Sequence, residues 1–344
     1  MKKLLNFAVI FIISILLFEI LLYLIFYSPI RLYYPLGKEK VDIQTDFNVI
    51  YNVDWRTGNR LIKCNNSKDK NQKVVFIGDS FTFGQGLKEE DTFVNMYACK
   101  TNYKVNNLST SGIGFELYEK IVLNHNFHNV DLVYLIFYQN DFDVSKESQN
   151  PTNTIKNFLR YKSFTYLILR KIKNQFFYGY IRGDNLTLVN GKWNNPASVF
   201  KNNPYKLKAE FETTKRKKEY IKKKIAIMME HINNNSKAKT MIMVIPEPSV
   251  LSMQHINFYK SVGALYLPNY LEVSDFAKYI NSLSKKYEFE YLPFYEHLIE
   301  AYKEEDHSYY FDHDFHFNKN GSIVTSNFLI SKLKNRIADN DFND

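Results

Sequence analysis

The sequence predicts an α/β chain: a three-layer α/β/α domain around a parallel central sheet, preceded by one N-terminal transmembrane helix and carrying a helical insertion. Three observations predict it. An apolar run opens the chain, short apolar runs of strand length alternate with stretches of helical period from residue 73 on, and one segment, 143–238, is too long for a single crossover. A length of 344 residues accommodates one such domain with an insertion. The 45% hydrophobic content, with 16% aromatics, describes a chain that buries a core.

The opening run extends from Leu4 to Tyr27, interrupted only by Asn6, Ser14 and Glu19. It exceeds the roughly 20 residues a helix needs to cross the hydrocarbon core. A cleaved signal peptide is the other reading, but Phe26-Tyr27-Ser28-Pro29-Ile30 offers bulky residues and a proline where a cleavage site needs small ones. Residues 1–28 are therefore read as an uncleaved anchor. Lys2 and Lys3 keep the short flank cytoplasmic, so the rest of the chain is expected outside, periplasmic or at the cell surface. Glu19 is either a protonated carboxyl tolerated by an apolar helix or a polar contact for a partner helix.

Residues 29–72 read as a juxtamembrane linker that partly packs on the domain, being polar and aromatic with Pro29, Pro35, Gly37 and the cluster Asn65-Asn66-Ser67. The chain has two cysteines, Cys64 and Cys99, in no metal-ligand or Cys-x-x-Cys spacing; a disulfide and two free thiols both remain open.

The domain proper is expected over 73–340. Strands are predicted at Val74–Ile77, Leu132–Tyr138, Thr240–Ile245 and Phe289–Leu292, with a weaker one at Tyr103–Asn106. Helical periods occupy Thr92–Ala98, Phe115–Leu123, Val273–Tyr287 and Gly321–Leu333. Within the insertion, Phe158–Tyr180 is aromatic, and Ile221, Ile225, Met228 and Ile232 form one stripe of an amphipathic helix with Lys222 to Lys224 facing solvent. Residues 201–239 hold 12 Lys and Arg against four Glu, which accounts for nearly all of the formal charge of +9. A charge so localised gives no support to nucleic acid as a partner.

A serine becomes a nucleophile only beside a base, so the chemistry turns on where Ser, His and carboxylate converge. Ser80 ends the run Val74-Val75-Phe76-Ile77-Gly78-Asp79-Ser80, at the carboxyl end of a predicted strand, where open α/β sheets place ligands. The plainer reading is a helix-capping turn. Near the other end, Asp312-His313-Asp314-Phe315-His316-Phe317-Asn318 sets His316 and Asp314 on one loop, as base and orienter. The alternatives there are a metal site built on His307, His313, His316 and the carboxylates, or an acidic turn capping the last helix through Asn318. Oxyanion donors are expected from the backbone of Ser80 and Gly112 and the side chain of Asn140. No cofactor and no metal are expected.

Gly78-Asp79-Ser80, Gly112, Asn140-Asp141 and Asp314-Phe315-His316, in this order and each beside a predicted strand end, resemble the four sequence blocks of the SGNH (GDSL) hydrolases, in particular bacterial membrane-anchored members. Phe81-Thr82-Phe83-Gly84, Asp91-Thr92-Phe93, Phe317-Asn318 and Gly321 fit the flanks. The resemblance covers roughly 72–335 outside the insertion and implies a flavodoxin-like sheet. It makes Ser80 the nucleophile, His316 the base, and Ser80, Gly112 and Asn140 the oxyanion hole. Two positions depart from it: Tyr138 stands where a glycine usually precedes the Asn, and His313 stands where many members have the Asp. Asp314 is taken as the orienter, with Asp312 in reserve.

The expected function is a serine esterase or O-acyltransferase acting on acyl, chiefly acetyl, esters of cell-envelope glycans, with a membrane acyltransferase as a potential donor. A lipase or phospholipase, whose acyl groove Phe158–Tyr180 would line, and an inactive glycan-binding or assembly protein are the alternatives.

Overall fold

Strands form where apolar residues run unbroken, as expected for a parallel sheet covered on both faces. The computed structural model describes residues 2–26, 38–43, 47–52, 60, 62–66, 72–109, 114–142, 163, 165, 200, 203–305, 308–312 and 315–341. The chain divides into two units: Met1–Glu39, Asn52–Asn59 and Ser145–Thr187 in one, Lys40–Tyr51, Arg60–Val144 and Leu188–Asp344 in the other.

In the first unit, helix α1 spans Lys2–Phe26. Most of its described apolar side chains are exposed, Phe7 and Leu24 being 70% exposed, while Leu22 is buried. Among the described residues no helix is long and apolar enough to cross a membrane; the longest run of α1 with described side chains is 13–22. Glu19 finds its contact within the chain: its Oε2 accepts from Thr165 N at 2.8 Å and Thr165 Oγ1 at 2.6 Å.

A two-stranded sheet pairs β1 (Lys38–Ile43) with β2 (Phe47–Asn52). The main sheet of the second unit holds β3 (Gln72–Gly78), β4 (Tyr103–Asn107), β5 (Leu132–Tyr138), β6 (Lys239–Ile245) and β7 (Glu290–Leu292). All pairings are parallel, in the order β4-β3-β5-β6-β7. Every residue of the central β5 is buried, whereas edge strand β4 alternates. The order reverses between β3 and β5, the kind of switch point at whose carboxyl ends open α/β sheets place ligands.

Helices α2 (Ser80–Phe83), α3 (Phe93–Lys100), α4 (Phe115–Asn124), α5 (Lys206–Phe211), α6 (Lys215–Asn235), α7 (Pro248–Leu251), α8 (Met253–Ser261), α9 (Asp275–Tyr287), α10 (Phe294–Glu305) and α11 (Lys319–Asp341) connect and cover the strands. α3 packs with α11 and α11 with α10, while α4 and α9 both pack on α6. These two groups are the outer layers. The stripe predicted on α6 is fully buried, with Met229 beside it. One charge is placed differently from expectation: Lys224 pairs with Glu119 of α4, because α6 lies against that helix and brings the ammonium within reach of the carboxylate. Aromatic Phe158–Tyr180 lies outside the described residues except at 163 and 165.

Cys64 and Cys99 form a disulfide with a Cα–Cα distance of 5.0 Å. It ties the end of the expected linker, a short 3₁₀ turn at Lys63–Asn66, to α3.

Candidate active site

The register Gly78↔Ile136 sets the ends of β3 and β5 side by side, with Ser80 two residues beyond the first and Asn140 four beyond its partner. The chain leaves β3 through Gly78, where an added Cβ would sit 2.0 Å from Thr82 Oγ1 and 3.2 Å from the Ile136 carbonyl oxygen. Only a glycine lets the strand turn at once into α2. Asp79 caps that helix, its Oδ1 accepting from Phe81 N at 2.9 Å. The plainer reading of Gly78-Asp79-Ser80 holds: the turn is a helix cap, and Ser80 is the first residue of the helix.

The helix ends in a Schellman turn on Gly84, at φ 80°. Gln85 N donates to Ser80 O at 2.9 Å and Gly84 N to Phe81 O at 3.1 Å.

Ser80 Oγ lies 2.7 Å from His316 Nε2, across 236 residues of sequence. Each residue retains 9% exposure, so the pair is packed yet reachable. His316 stands on a loop closed by Phe311 N to His316 O at 3.1 Å and Asn318 N to Tyr309 O at 3.1 Å. Three further bonds fix the loop. His255 Nε2 donates to Phe311 O at 2.9 Å, Tyr310 Oη to Pro246 O at 2.7 Å, and Asn318 Nδ2 to Tyr310 O at 2.9 Å. Asn318 Oδ1 also accepts from Gly321 N in the first turn of α11, so the loop that carries His316 also caps the helix.

Asn140 lies in a 3₁₀ turn, Gln139–Phe142, directly after β5. Buried Asp141 anchors that turn, its Oδ2 accepting from Tyr138 N and Tyr118 Oη at 2.8 Å each. Tyr138, which stands where a glycine is usual in the resemblance, completes β5, and its ring packs on Phe81 with centroids 4.7 Å apart.

Burial raises the Asp79 carboxyl to about 6, with the Phe81 N–H and the His316 charge pulling the other way. Beyond β6, Glu247 caps α7, accepting from Ser249 N at 2.8 Å; burial pushes this carboxyl up to about 7.

Of the sequence-predicted residues, Ser80 and His316 are brought together and Asn140 sits at the neighbouring strand end. Asp312 is exposed. Gly112 and Asp314 lie outside the described residues, as do His307 and His313, on which the metal alternative rests. Sequence reasoning missed Arg60, Asp141, Glu247 and His255, all buried. Asp141 alone had a local signal, since it adjoins Asn140.

No family model matches the chain, and no curated protein matches it in sequence. Solved structures to which it is similar include TesA, at 12% identity and a TM-score of 0.39 over 76% of this chain and 98% of that one. The lipase/acylhydrolase from Enterococcus faecalis gives 12% and 0.40 over 77% and 96%. Phospholipase A1 from Streptomyces albidoflavus gives 11% and 0.41 over 76% and 99%. At these identities and scores the likeness carries no argument about activity, which rests on the chain's own residues.

Proposed function

We propose that the chain is a serine esterase or O-acyltransferase in which Ser80 is the nucleophile and His316 the general base. The observation that carries this reading is the 2.7 Å contact of Ser80 Oγ with His316 Nε2 at the carboxyl ends of β3 and β5. Ser80 donates its proton to Nε2 as Oγ attacks the ester carbonyl. The oxyanion is held by the backbone N–H groups of Ser80 and Gly112 and the Asn140 amide. Collapse breaks the ester C–O bond, His316 returns the proton to the leaving alcohol, and the acyl group stays on Ser80 until water or a sugar hydroxyl takes it. Asp314 orients the imidazole from the same loop.

The substrate class proposed is an O-acylated, chiefly O-acetylated, envelope glycan, and the chain is anchored by α1 with its amino terminus in the cytoplasm and its catalytic domain outside. The exposed apolar side chains described on α1, such as Phe7 and Leu24, and the Cys64–Cys99 disulfide, typical of an oxidising compartment, support this placement. A membrane acyltransferase would act as donor if transfer is the reaction.

The full chain in detergent should release nitrophenol from its acetate ester, and Ser80→Ala or His316→Ala should lower kcat by about 10⁴-fold or more. Activity retained in both variants would sink the assignment. Mass analysis of envelope glycans from cells lacking the protein separates the directions: a gain of acetyl groups marks the esterase, a loss the transferase. A C-terminal reporter active only in the cytoplasm would overturn the topology.

A further inference from the structure

Arg60 plays no part in the chemistry above, yet its guanidinium binds the turn that follows Ser80. It is only 3% exposed. Nη1 donates to Phe83 O at 2.9 Å and Gly84 O at 2.7 Å, and Nη2 donates to Leu87 O at 2.6 Å. The guanidinium carbon also stands 5.4 Å from the centre of the Phe83 ring.

Those carbonyls belong to the segment that ends α2. A helix of four residues does not hold itself up, because nucleating one turn costs more than its hydrogen bond returns. α2 depends on its caps, and at its carboxyl end the Gly84 and Gln85 amides bind the carbonyl of Ser80 itself. Arg60 grips the other side of Gly84. An unbroken path thus runs from the guanidinium through the Gly84 peptide to the backbone of Ser80.

Arg60 is in turn fixed from α3. Three residues on, Lys63 N donates to Asn95 Oδ1 at 2.9 Å, and Cys64 is bonded to Cys99. The disulfide therefore secures the segment that delivers the guanidinium, although it touches neither Ser80 nor His316. A lysine would not replace the arginine: one ammonium cannot reproduce a planar fork spread over three carbonyls.

We propose that Arg60, held in place by the Cys64–Cys99 disulfide, is a positioning residue for Ser80, so that hydrolysis requires the oxidised protein. The proposal rests on Ser80 being the nucleophile.

The test uses the full chain in detergent, with three readouts: kcat and KM on a nitrophenyl ester, the rate at which a fluorophosphonate labels Ser80, and the thermal unfolding midpoint. Arg60→Ala should lower kcat and the labelling rate together by roughly 10- to 100-fold, the scale of a 1 Å misplacement, with KM changed less than about twofold. Added methylguanidinium at millimolar concentration should restore part of the loss, and an equal concentration of sodium chloride should not. Should Arg60→Ala fail to fold, Arg60→Lys decides, with the same split between kcat and KM. Reduction of the wild type by dithiothreitol breaks the S–S bond, leaves two thiols and closes the reagent into its own disulfide. It should slow labelling in step with thiol release while the protein stays folded. Wild-type kcat in folded Arg60→Lys, or labelling unaffected by full reduction, overturns the proposal. Wild-type protein that takes no label at Ser80 overturns the nucleophile reading and this proposal with it, whereas labelled wild type with unimpaired variants removes the clamp alone.

Discussion

Glu247→Gln should make the protein more stable at alkaline pH and leave it nearly unchanged in acid. The carboxyl is 1% exposed, and its Oε2 accepts from the amide and hydroxyl of Ser249. Desolvation is the main reason its pKa rises from 4.5 to about 7, and the nearby Glu210 adds to it. Because folding raises the pKa, the native state holds this proton more tightly than the unfolded chain does. The stability it contributes is fully present below about pH 4.5 and is lost as pH rises through about 7. The displacement corresponds to roughly 3 kcal/mol at 1.36 kcal/mol per pK unit. A glutamine keeps the shape and an oxygen for the Ser249 amide but has no charge to desolvate. The variant should therefore gain on the wild type by roughly 3 kcal/mol between pH 4.5 and pH 8. At about 2–4 °C per kcal/mol for a domain of this size, the midpoint difference should grow by roughly 6–12 °C. Thermal unfolding of both proteins at the two pH values, at one scan rate, measures it. A midpoint difference that is the same at pH 4.5 and pH 8 would refute the reasoning.

Three further outcomes follow from the site. Gly78→Ala should displace the first turn of α2, since its Cβ would lie 2.5 Å from Thr82 Cβ; a loss of about 1–3 kcal/mol in urea unfolding and a fall in Ser80 labelling are expected, and an unchanged labelling rate would contradict the close fit. Asp141→Ala deprives the Tyr138 amide and the Tyr118 hydroxyl of their common acceptor; it should cost about 2–4 kcal/mol and lower kcat through the Asn140 turn, with Asp141→Asn milder on both counts. Asp314→Asn should lower kcat by about 10⁴-fold while Asp312→Ala leaves it within a fewfold, and the reverse result would hand the orienting role to Asp312.

What was legible in the sequence is what periodicity records. β5 is apolar at each of its seven positions because both faces of the central strand are covered, and such a run needs no tertiary information to be read. The stripe of α6 was visible for the same reason, down to Ile221, Ile225, Met228 and Ile232. Ser80 and His316 could be singled out because each stands in a short local pattern at an element boundary. The groups that hold them in place leave no such pattern. Arg60 reaches carbonyls 23 to 27 residues away, and His255 reaches Phe311 across 56. Lys217 is a fuller case: it reads as one more solvated charge in a basic helix, yet it is 3% exposed and donates to the Glu210 carbonyl. A long side chain that neutralises a backbone carbonyl elsewhere has no periodic signature, and only packing decides its partner.

Tyr138, at the end of β5, feels the charge of Glu247. Register pairs Tyr138 with Ile245, so the carboxyl two residues past the end of β6 stands near the phenol at the end of β5. The ring fills the space beneath Phe81, whose other faces meet His316 and Phe317 at 5.1 and 5.0 Å between centroids. A glycine there would leave Phe81, and with it the first turn of α2, without support on that side. A tyrosine brings its hydroxyl into a buried environment, where burial and then the Glu247 charge raise its pKa well above 10.0. Tyr295 and Tyr310, each raised by burial, also feel the Glu247 charge. An ionised carboxylate amid phenols that cannot ionise is tolerated only if their hydroxyls solvate it; otherwise the carboxyl takes up its proton and becomes a donor itself. With its pKa near 7 it stands between the two states. Tyr138, whose ring packs on Phe81 of α2, thus stands near an acid that is protonated below neutrality and ionised above it.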